Sequence, residues 1–303
     1  MDKVLYEHIR CDLCNSDRYK VRYRKPDNWL WINQFEFPVV ECLNCGLVYL
    51  NPRPTEQSMS IYYPPIYHNL RNTEEWLYKY SIETEYLPEL KNETVLDIGC
   101  ARGDFLHFLK QKYTEIKTFG IDLYSDGVDF KEICFTKNRL DNCNFDNSQF
   151  DIITAWAVFE HLNSPSRYFK EVSRILKGNG RFYFLVTNSE SLYGRKAYIE
   201  DIPRHTYHFS ENILKKYAEK YGFNMLNCWY DDRVWDGRGM GTFYFLSQKI
   251  TNSSWERRFI GDVNKFQRIA GKIGNKLDEI VFKTHWEAKY RKSGIIIVEF
   301  TKK

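Results

Sequence analysis

No stretch of this 303-residue chain approaches the roughly 18 consecutive apolar residues that a membrane-spanning helix needs. The leading MDKVLYEHIR carries no apolar signal-peptide core. Both absences predict a cytoplasmic protein, in a compartment where cysteines stay reduced. Charge of one sign is also scarce. With 44 basic and 40 acidic residues the net charge is only +4, too balanced to argue for nucleic acid by itself. The chain has no internal repeat and no low-complexity segment. What it has in quantity is apolar and aromatic, 43% and 17%. That composition predicts a folded globular protein, long enough for a full α/β domain plus one small module.

Two phosphate-binding signatures are missing as well. The run VLDIGCARGDFL, Val95 to Leu106, reads as a buried strand ending in Asp97, a glycine turn and the first turn of a helix. Its turn, Gly99 to Gly103, is G-C-A-R-G. It is neither the G-x-G-x-x-G of a dinucleotide site nor a G-x-x-x-x-G-K-[ST] phosphate loop. A second apolar run, TFGID, ends in Asp122, 25 residues after Asp97. An acid ending the second strand can accept hydrogen bonds from both ribose hydroxyls, and the glycines let backbone approach a ligand. A ligand with a ribose and no phosphate fits this pattern, and S-adenosylmethionine is the candidate.

Three segments then carry a resemblance. DIGCARGDF resembles the first motif of class I S-adenosylmethionine-dependent methyltransferases. FDIITAWAVFEHL (Phe150 to Leu162) resembles their fourth-strand motif, and LKGNGRFYFLVTN (Leu176 to Asn188) the turn and fifth strand. The likeness covers roughly residues 90 to 230 and the last ten. It implies an α/β fold: a Rossmann-like seven-stranded sheet, with a small N-terminal zinc ribbon and a C-terminal helical insertion. It also implies cofactor contacts at Asp97, Gly99, Cys100, Gly103, Asp122, Leu123, Leu140 and Trp156. The Asn/Asp-Pro-Pro-Tyr motif of methyltransferases that modify base amines is absent, because Ala155-Trp156-Ala157-Val158 stands in its place.

The ribbon is read from Cys11-x-x-Cys14 and Cys42-x-x-Cys45, two knuckles that can present four thiolates to a structural zinc ion. Zinc would help a small segment fold; four ordinary buried cysteines are the alternative. Between the knuckles Trp29, Trp31, Phe35 and Phe37 predict a hairpin with an apolar face. Asn51-Pro52-Arg53-Pro54 reads as a linker. The expected organisation is a ribbon over 1–54, a bridging helical arm over 55–90 and a methyltransferase domain over 91–303. Residues 231–292 form an insertion before the last strand. A ribbon ahead of such a domain resembles methyltransferases of glycan and secondary-metabolite pathways, where it covers the acceptor side. By that resemblance IYYPPIY (Ile61 to Tyr67) and EEWLYKY (Glu74 to Tyr80) close over the cofactor. Interdomain packing explains the same tyrosines equally well.

Local signals predict helices over Asp104–Tyr113 and Glu211–Tyr221. Another starts after a Ser164 cap and is ended by Gly178 and Gly180. WERRFIGDVNKFQRIAGKIGNKLDEIVFKTHW (Trp255 to Trp286) has apolar residues every three or four positions. It is read as a cap over the substrate, a dimer surface or a membrane-surface helix, with Gly237 to Gly241 as a hinge before it. PRHTYHFS (Pro203 to Ser210) resembles a segment that arches over the acceptor in the same families. His205 and His208 lack a third ligand at a matching spacing, so a base is favoured over a metal site. His205 is preferred over His161 as the base for a hydroxyl acceptor, and a reaction driven by positioning alone stays open. The expected function is methyl transfer to a hydroxyl of a sugar or sugar-like small molecule. The rivals are C-methylation of a nucleotide-linked keto-sugar, a zinc-ribbon RNA-binding methyltransferase and an inactive binding homologue.

Overall fold

The computed structural model describes residues 4–27, 32–64, 73–192, 201–235, 241–253 and 262–303, with the side chains of 73–75 and 235 left out. The N-terminal part holds β1 (Tyr6–Glu7), β2 (Tyr19–Lys25), β3 (Phe37–Cys42), β4 (Val48–Leu50) and β5 (Arg53–Pro54). Then come α1 (Glu56–Met59) and α2 (Thr73–Glu85). Next are β6 (Thr94–Ile98), α3 (Asp104–Lys112), β7 (Lys117–Asp122), β8 (Ile133–Lys137) and β9 (Phe150–Trp156). They are followed by α4 (Pro165–Ile175), β10 (Leu176–Thr187), β11 (Tyr207–His208), α5 (Glu211–Lys220) and β12 (Phe223–Tyr230). The chain closes with α6 (Thr242–Ile250), α7 (Lys265–Val281), α8 (Trp286–Lys289) and β13 (Ile295–Lys302).

The main sheet has seven strands in the order β12-β13-β10-β9-β6-β7-β8. Strands β6 to β10 pair in parallel, and β13 runs antiparallel between β10 and β12. This is the Rossmann-like arrangement expected from the motifs. Strand β6, the Phe182–Val186 part of β10 and the Ile295–Val298 part of β13 are buried and mostly apolar because both faces are covered. Helix α3 begins at Gly103, whose φ is +86°. A Cβ there would sit 2.7 Å from Ile133 Cδ1, so glycine is required twice over.

Two predicted boundaries are corrected. Gly178 and Gly180 do not end α4. That helix stops at Ile175, and both glycines lie inside β10, where its register with β9 shifts between Leu176 and Arg181. Ser164 occupies the cap position of α4, but its side chain does not cap the helix. Asp12 does so instead. One carboxylate oxygen accepts the Ser166 N–H at 2.8 Å, and the other accepts the Ser164 and Ser166 hydroxyls. The same carboxylate takes the Tyr217 hydroxyl of α5 at 2.7 Å.

The N-terminal part is therefore not a free-standing module. Its small sheet has the order β11-β4-β3-β2, so Tyr207–His208 of the PRHTYHFS segment is its edge strand. The expected hairpin appears as β2 on β3. Phe37 is buried and Phe35 stacks on Tyr6, while Trp29 and Trp31 lie outside the described residues. Asn51 to Pro54, read as a linker, is tied down. The Asn51 side chain exchanges two hydrogen bonds with the Ile9 backbone, and Arg53 donates to Glu7 and to the Asn163 carbonyl. Apolar residues of both parts, Leu47 and Tyr49 with Phe184 and Phe209 among them, share one core.

The insertion departs furthest from expectation. The helix predicted from Trp255 begins at Lys265, with Asn264 and Gln267 forming a capping box. Residues 254–261, with Phe259, lie outside the description, as do 237–240 of the expected hinge. The apolar stripe of α7 is not its buried face. Gly271, Gly274 and Asp278 are buried instead, against α6. A Cβ on Gly274 would meet the Phe243 carbonyl oxygen at 2.6 Å. Asp278 accepts the Phe243 and Tyr244 N–H groups at 2.8 and 3.0 Å, holding the first turn of α6.

Arg204 joins three distant segments. It is fully buried, donates to Asp27 at 2.9 Å, to Asp201 at 2.6 Å and to the Tyr62 carbonyl at 3.1 Å. Arg204→Ala removes the guanidinium that faces buried Asp27 and partly buried Asp201 and is expected to lower unfolding free energy by about 3–5 kcal/mol. Denaturant unfolding checks this. A loss under about 1 kcal/mol would mean that the contact is ornamental.

Candidate active site

One cavity of about 760 Å³ opens at the carboxyl ends of β6, β7 and β9, a volume in the range of small-molecule sites. The sheet contributes Asp97 to Ala101, Ile121 to Tyr124 and Trp156 to Val158. The arm contributes Met59, Tyr63, Lys79 and Glu83, and the α6–α7 hairpin closes a further side with Tyr244, Phe245 and Asn275.

Asp97 is buried, and burial holds its carboxyl well above the ordinary range although Thr154 donates to it at 2.7 Å. Gly99 has φ +74°, and a Cβ there would lie 2.5 Å from Val158 Cγ2. The N–H groups of Gly99 and Cys100 both go to the Ile121 carbonyl, at 2.8 and 3.0 Å. Cys100 packs its sulfur where a side chain on Gly120 would stand. Asp122 accepts the Ala101 N–H on one oxygen and the Tyr124 and Ser125 N–H groups on the other, at 2.7 to 3.0 Å. Three of its roughly four acceptor positions are thus filled by its own loop. Leu123 is exposed to the cavity, and Trp156 lines it, edge-on to Phe105.

Two expected cofactor residues do not reach the cavity. Gly103 serves the turn only. Leu140 is fully buried in the main core, and its neighbours Asn138 and Arg139 line the cavity instead. Arg139 is itself fixed by both oxygens of Glu56, at 2.8 Å each.

His161 and His205 meet across the cavity wall with ring centroids 4.5 Å apart. One nitrogen of each and a Glu160 oxygen lie within 4.8 Å of one another, a donor set that suits a divalent ion as well as a proton. Burial pushes the Glu160 carboxyl up to about 8. One of its oxygens accepts the Thr187 N–H at 3.3 Å, and the other has no hydrogen-bond partner among the described residues. His161 is pushed down to about 4, by desolvation first and then by the Arg204 charge, and its Nδ1 hydrogen-bonds the Tyr63 hydroxyl at 3.0 Å. His208 is not part of this group. As a residue of β11 it faces a separate cavity beside Arg22 and Glu41.

Lys79 and Glu83 were missed in the sequence. Both are buried in the cavity wall, Nζ to Oε1 3.6 Å apart. Burial pushes the Glu83 carboxyl up to about 7 against the opposing Lys79 charge, and neither Glu83 oxygen makes a hydrogen bond among the described residues. The signal was available. Trp76, Lys79, Tyr80 and Glu83 recur at helical spacing, which puts two charged residues on the inward face of α2.

The four cysteines of the two knuckles converge. Their sulfurs lie within 4.8 Å of one another, with Cys11 to Cys45 at 3.4 Å and Cys14 to Cys42 at 3.5 Å. Thiolates around a tetrahedral zinc ion stand about 3.8 Å apart, so the set fits. Each knuckle turns through a residue of positive φ just after its second cysteine, Asn15 at 60° and Gly46 at 84°.

Comparison with known proteins agrees with this geometry. Residues 73–227 match a family model described as a methyltransferase domain. A ubiquinone biosynthesis O-methyltransferase of Coxiella burnetii is 27% identical over 158 residues, covering 46% of this chain and 66% of that protein. The mitochondrial protein of the same name in Dictyostelium discoideum is 24% identical over 157 residues, covering 49% of this chain and 47% of that one. The chain thus spans just under two thirds of the first relative and about half of the second. Among solved structures, a phosphoethanolamine N-methyltransferase 2 of Haemonchus contortus in complex with S-adenosyl-L-methionine has a TM-score of 0.51 at 12% identity, covering 94% of this chain and 68% of that one. A chain from a Haloferax volcanii complex of the Trm112 methyltransferase activator with a methyltransferase scores 0.51 at 18% identity, covering 76% and 91%. These structural likenesses concern the fold. The family model covers just over half of the chain, and the protein belongs to the methyltransferase-domain family.

Proposed function

We propose that this chain transfers a methyl group from S-adenosylmethionine to a hydroxyl oxygen of a small, sugar-like acceptor. The observation that carries the reading is a set of buried polar atoms lacking hydrogen-bond partners among the described residues, all on residues lining one cavity. They are both Glu83 oxygens, Trp156 Nε1 and one Glu160 oxygen. Buried polar groups are mostly paired, so a polar ligand is the economical partner for Trp156 Nε1 and the Glu160 oxygen, and a second partner for Glu83 beside its Lys79 ion pair. The relatives named as O-methyltransferases support oxygen as the receiving atom.

When bound, the cofactor supplies a methyl carbon made electrophilic by a sulfonium. The remaining acceptor position of Asp122 would take one ribose hydroxyl, and Leu123, Asn138 and Arg139, which line the same cavity, would hold the adenine. The amides of Gly99, Cys100 and Ala101 are already engaged, so the zwitterionic end needs other partners. We assign its carboxylate to Lys79 and its ammonium to Glu83. Calorimetry separates this role from folding. Lys79→Met and Glu83→Gln should each weaken S-adenosylhomocysteine binding at least tenfold and leave 5′-methylthioadenosine, which lacks the amino-acid end, unchanged. Equal losses for both ligands would make the pair structural. Failure of the wild type to bind either would sink the cofactor reading.

On the acceptor side, His205 takes the hydroxyl proton as the carbon–oxygen bond forms and the carbon–sulfur bond breaks, leaving a neutral thioether. Ionised Glu160 steadies the resulting imidazolium. Glu160 is protonated below about pH 8 and charged above it, so turnover should rise through that pH. His161, held near 4, stays neutral throughout and adds no limb. His205→Ala should cost roughly 10²–10⁴-fold in kcat, and Glu160→Gln should remove the rise near pH 8. A pH profile identical in the wild type and Glu160→Gln would reject the coupling.

The four cysteines hold, in this reading, one structural zinc ion. Elemental analysis should find about one zinc per chain, and its removal by a chelator should lower stability and turnover because β11, two residues from His205, is an edge strand of the cysteine-bearing sheet. Metal-free protein with unchanged stability would reduce the cluster to four buried thiols.

A further inference from the structure

The α6–α7 hairpin has two sides with opposite character. The inner side is fixed by Gly274 and Asp278 and contributes Tyr244, Phe245 and Asn275 to the cavity. The outer side of α7 carries Phe266, Ile269, Ile273, Leu277 and Ile280, exposed by 69, 47, 56, 41 and 62%. Their spacing places them on one stripe, about 21 Å long at 1.5 Å per residue. Leu246 and Ile250 of α6 are exposed as well. Apolar stripes of this length are rare on monomeric proteins and mark a contact surface.

Charge decides what the contact is. Lys265, Arg268, Lys272 and Lys276 are exposed along one flank of the stripe. Of the two acids on α7, Asp278 is buried against α6, which leaves Glu279, itself beside Lys276 at 2.8 Å. Two copies meeting stripe to stripe would bring two such basic rows to one seam with little acid to offset them. An anionic lipid surface meets both features at once: the stripe enters the acyl boundary and the basic row lies among the headgroups.

We propose that the outer face of the α6–α7 hairpin docks on an anionic lipid surface, and that the acceptor is a hydroxyl compound carried by that membrane. The second clause rests on the methyl-transfer reading of the cavity; the first does not. A single helix diameter, about 10–12 Å, separates the docked stripe from the cavity-lining side of the same hairpin.

Vesicle flotation of the full chain tests this. The wild type should float with phosphatidylglycerol-containing vesicles at least tenfold more than with pure phosphatidylcholine, and high salt should reverse it. Phe266→Gln/Ile273→Gln/Ile280→Gln should abolish flotation, and Lys272→Glu/Lys276→Glu should cut it about tenfold. Both variants should bind S-adenosylhomocysteine as the wild type does, which shows that they fold. Wild type that stays out of anionic vesicles overturns the proposal. So does a dimer by light scattering that the apolar variant dissociates, because a second copy then covers the stripe. Flotation by a wild type that binds no S-adenosylhomocysteine keeps the docking surface and removes the acceptor clause.

Discussion

Arg204 and its two carboxylates hold together the parts that make the cavity. Asp27 belongs to the N-terminal part, the Tyr62 carbonyl to the arm, and Asp201 to the segment that carries His205. Taking a guanidinium out of water is costly, and only close, multiple pairing offsets it. Here the pairing is close on both sides. The next residue is His205, whose backbone N–H donates to the Asp201 carbonyl at 2.8 Å. The same cation depresses His161 and so favours its neutral form at working pH. One charge thus fixes the architecture and adds to the burial that keeps a neighbouring site residue neutral.

The N-terminal part belongs to the site by the same logic. Asp12, one residue past the first cysteine, caps α4 across more than 150 positions of sequence. Strand β4 accepts Tyr207–His208 as its partner, and the Leu50 N–H reaches the Thr206 carbonyl at 3.0 Å. Thr206 in turn donates to the Glu160 carbonyl through both its N–H and its hydroxyl. A continuous set of backbone contacts therefore runs from the cysteine cluster to the Glu160–His161 turn. Geometry at the cysteines is thereby tied to geometry at Glu160 and His161.

Much of the sheet was legible because strands buried on both faces are largely apolar, as are β6, β9, the Phe182–Val186 part of β10 and most of β13. Asp97 and Asp122 were legible from their places at strand ends. What failed was whatever depends on a partner far along the chain. Ser164 looks like a cap, but Asp12 is nearer the free amide. Gly178 and Gly180 look like a helix stop, but Leu176 is already extended. Leu140, where the backbone was expected to meet the cofactor by resemblance, has its side chain in the core while its neighbours Asn138 and Arg139 line the cavity. His205 and His208 look equivalent three residues apart, and strand pairing sends one to the cavity and the other away from it. Lys79 and Glu83 were overlooked because charged residues on a helix are usually solvated, a rule that fails where a cavity needs them.

Helix α7 shows why hydrophobic spacing alone does not decide which face is covered. The periodicity of Phe266 to Ile280 marks one stripe, and it left a cap over the substrate, a dimer surface and a membrane-surface helix open. The opposing face offered something stronger to α6. Glycine at 274 lets the two backbones touch, and a carboxylate at 278 satisfies two amides at a helix start that lacks a side-chain cap of its own. Close approach and paired amides outweigh apolar area that can still be covered from outside. With that face taken, the stripe is exposed among the described residues. A stripe left on the exposed side is available to a surface outside the chain, the kind of contact the lipid proposal names.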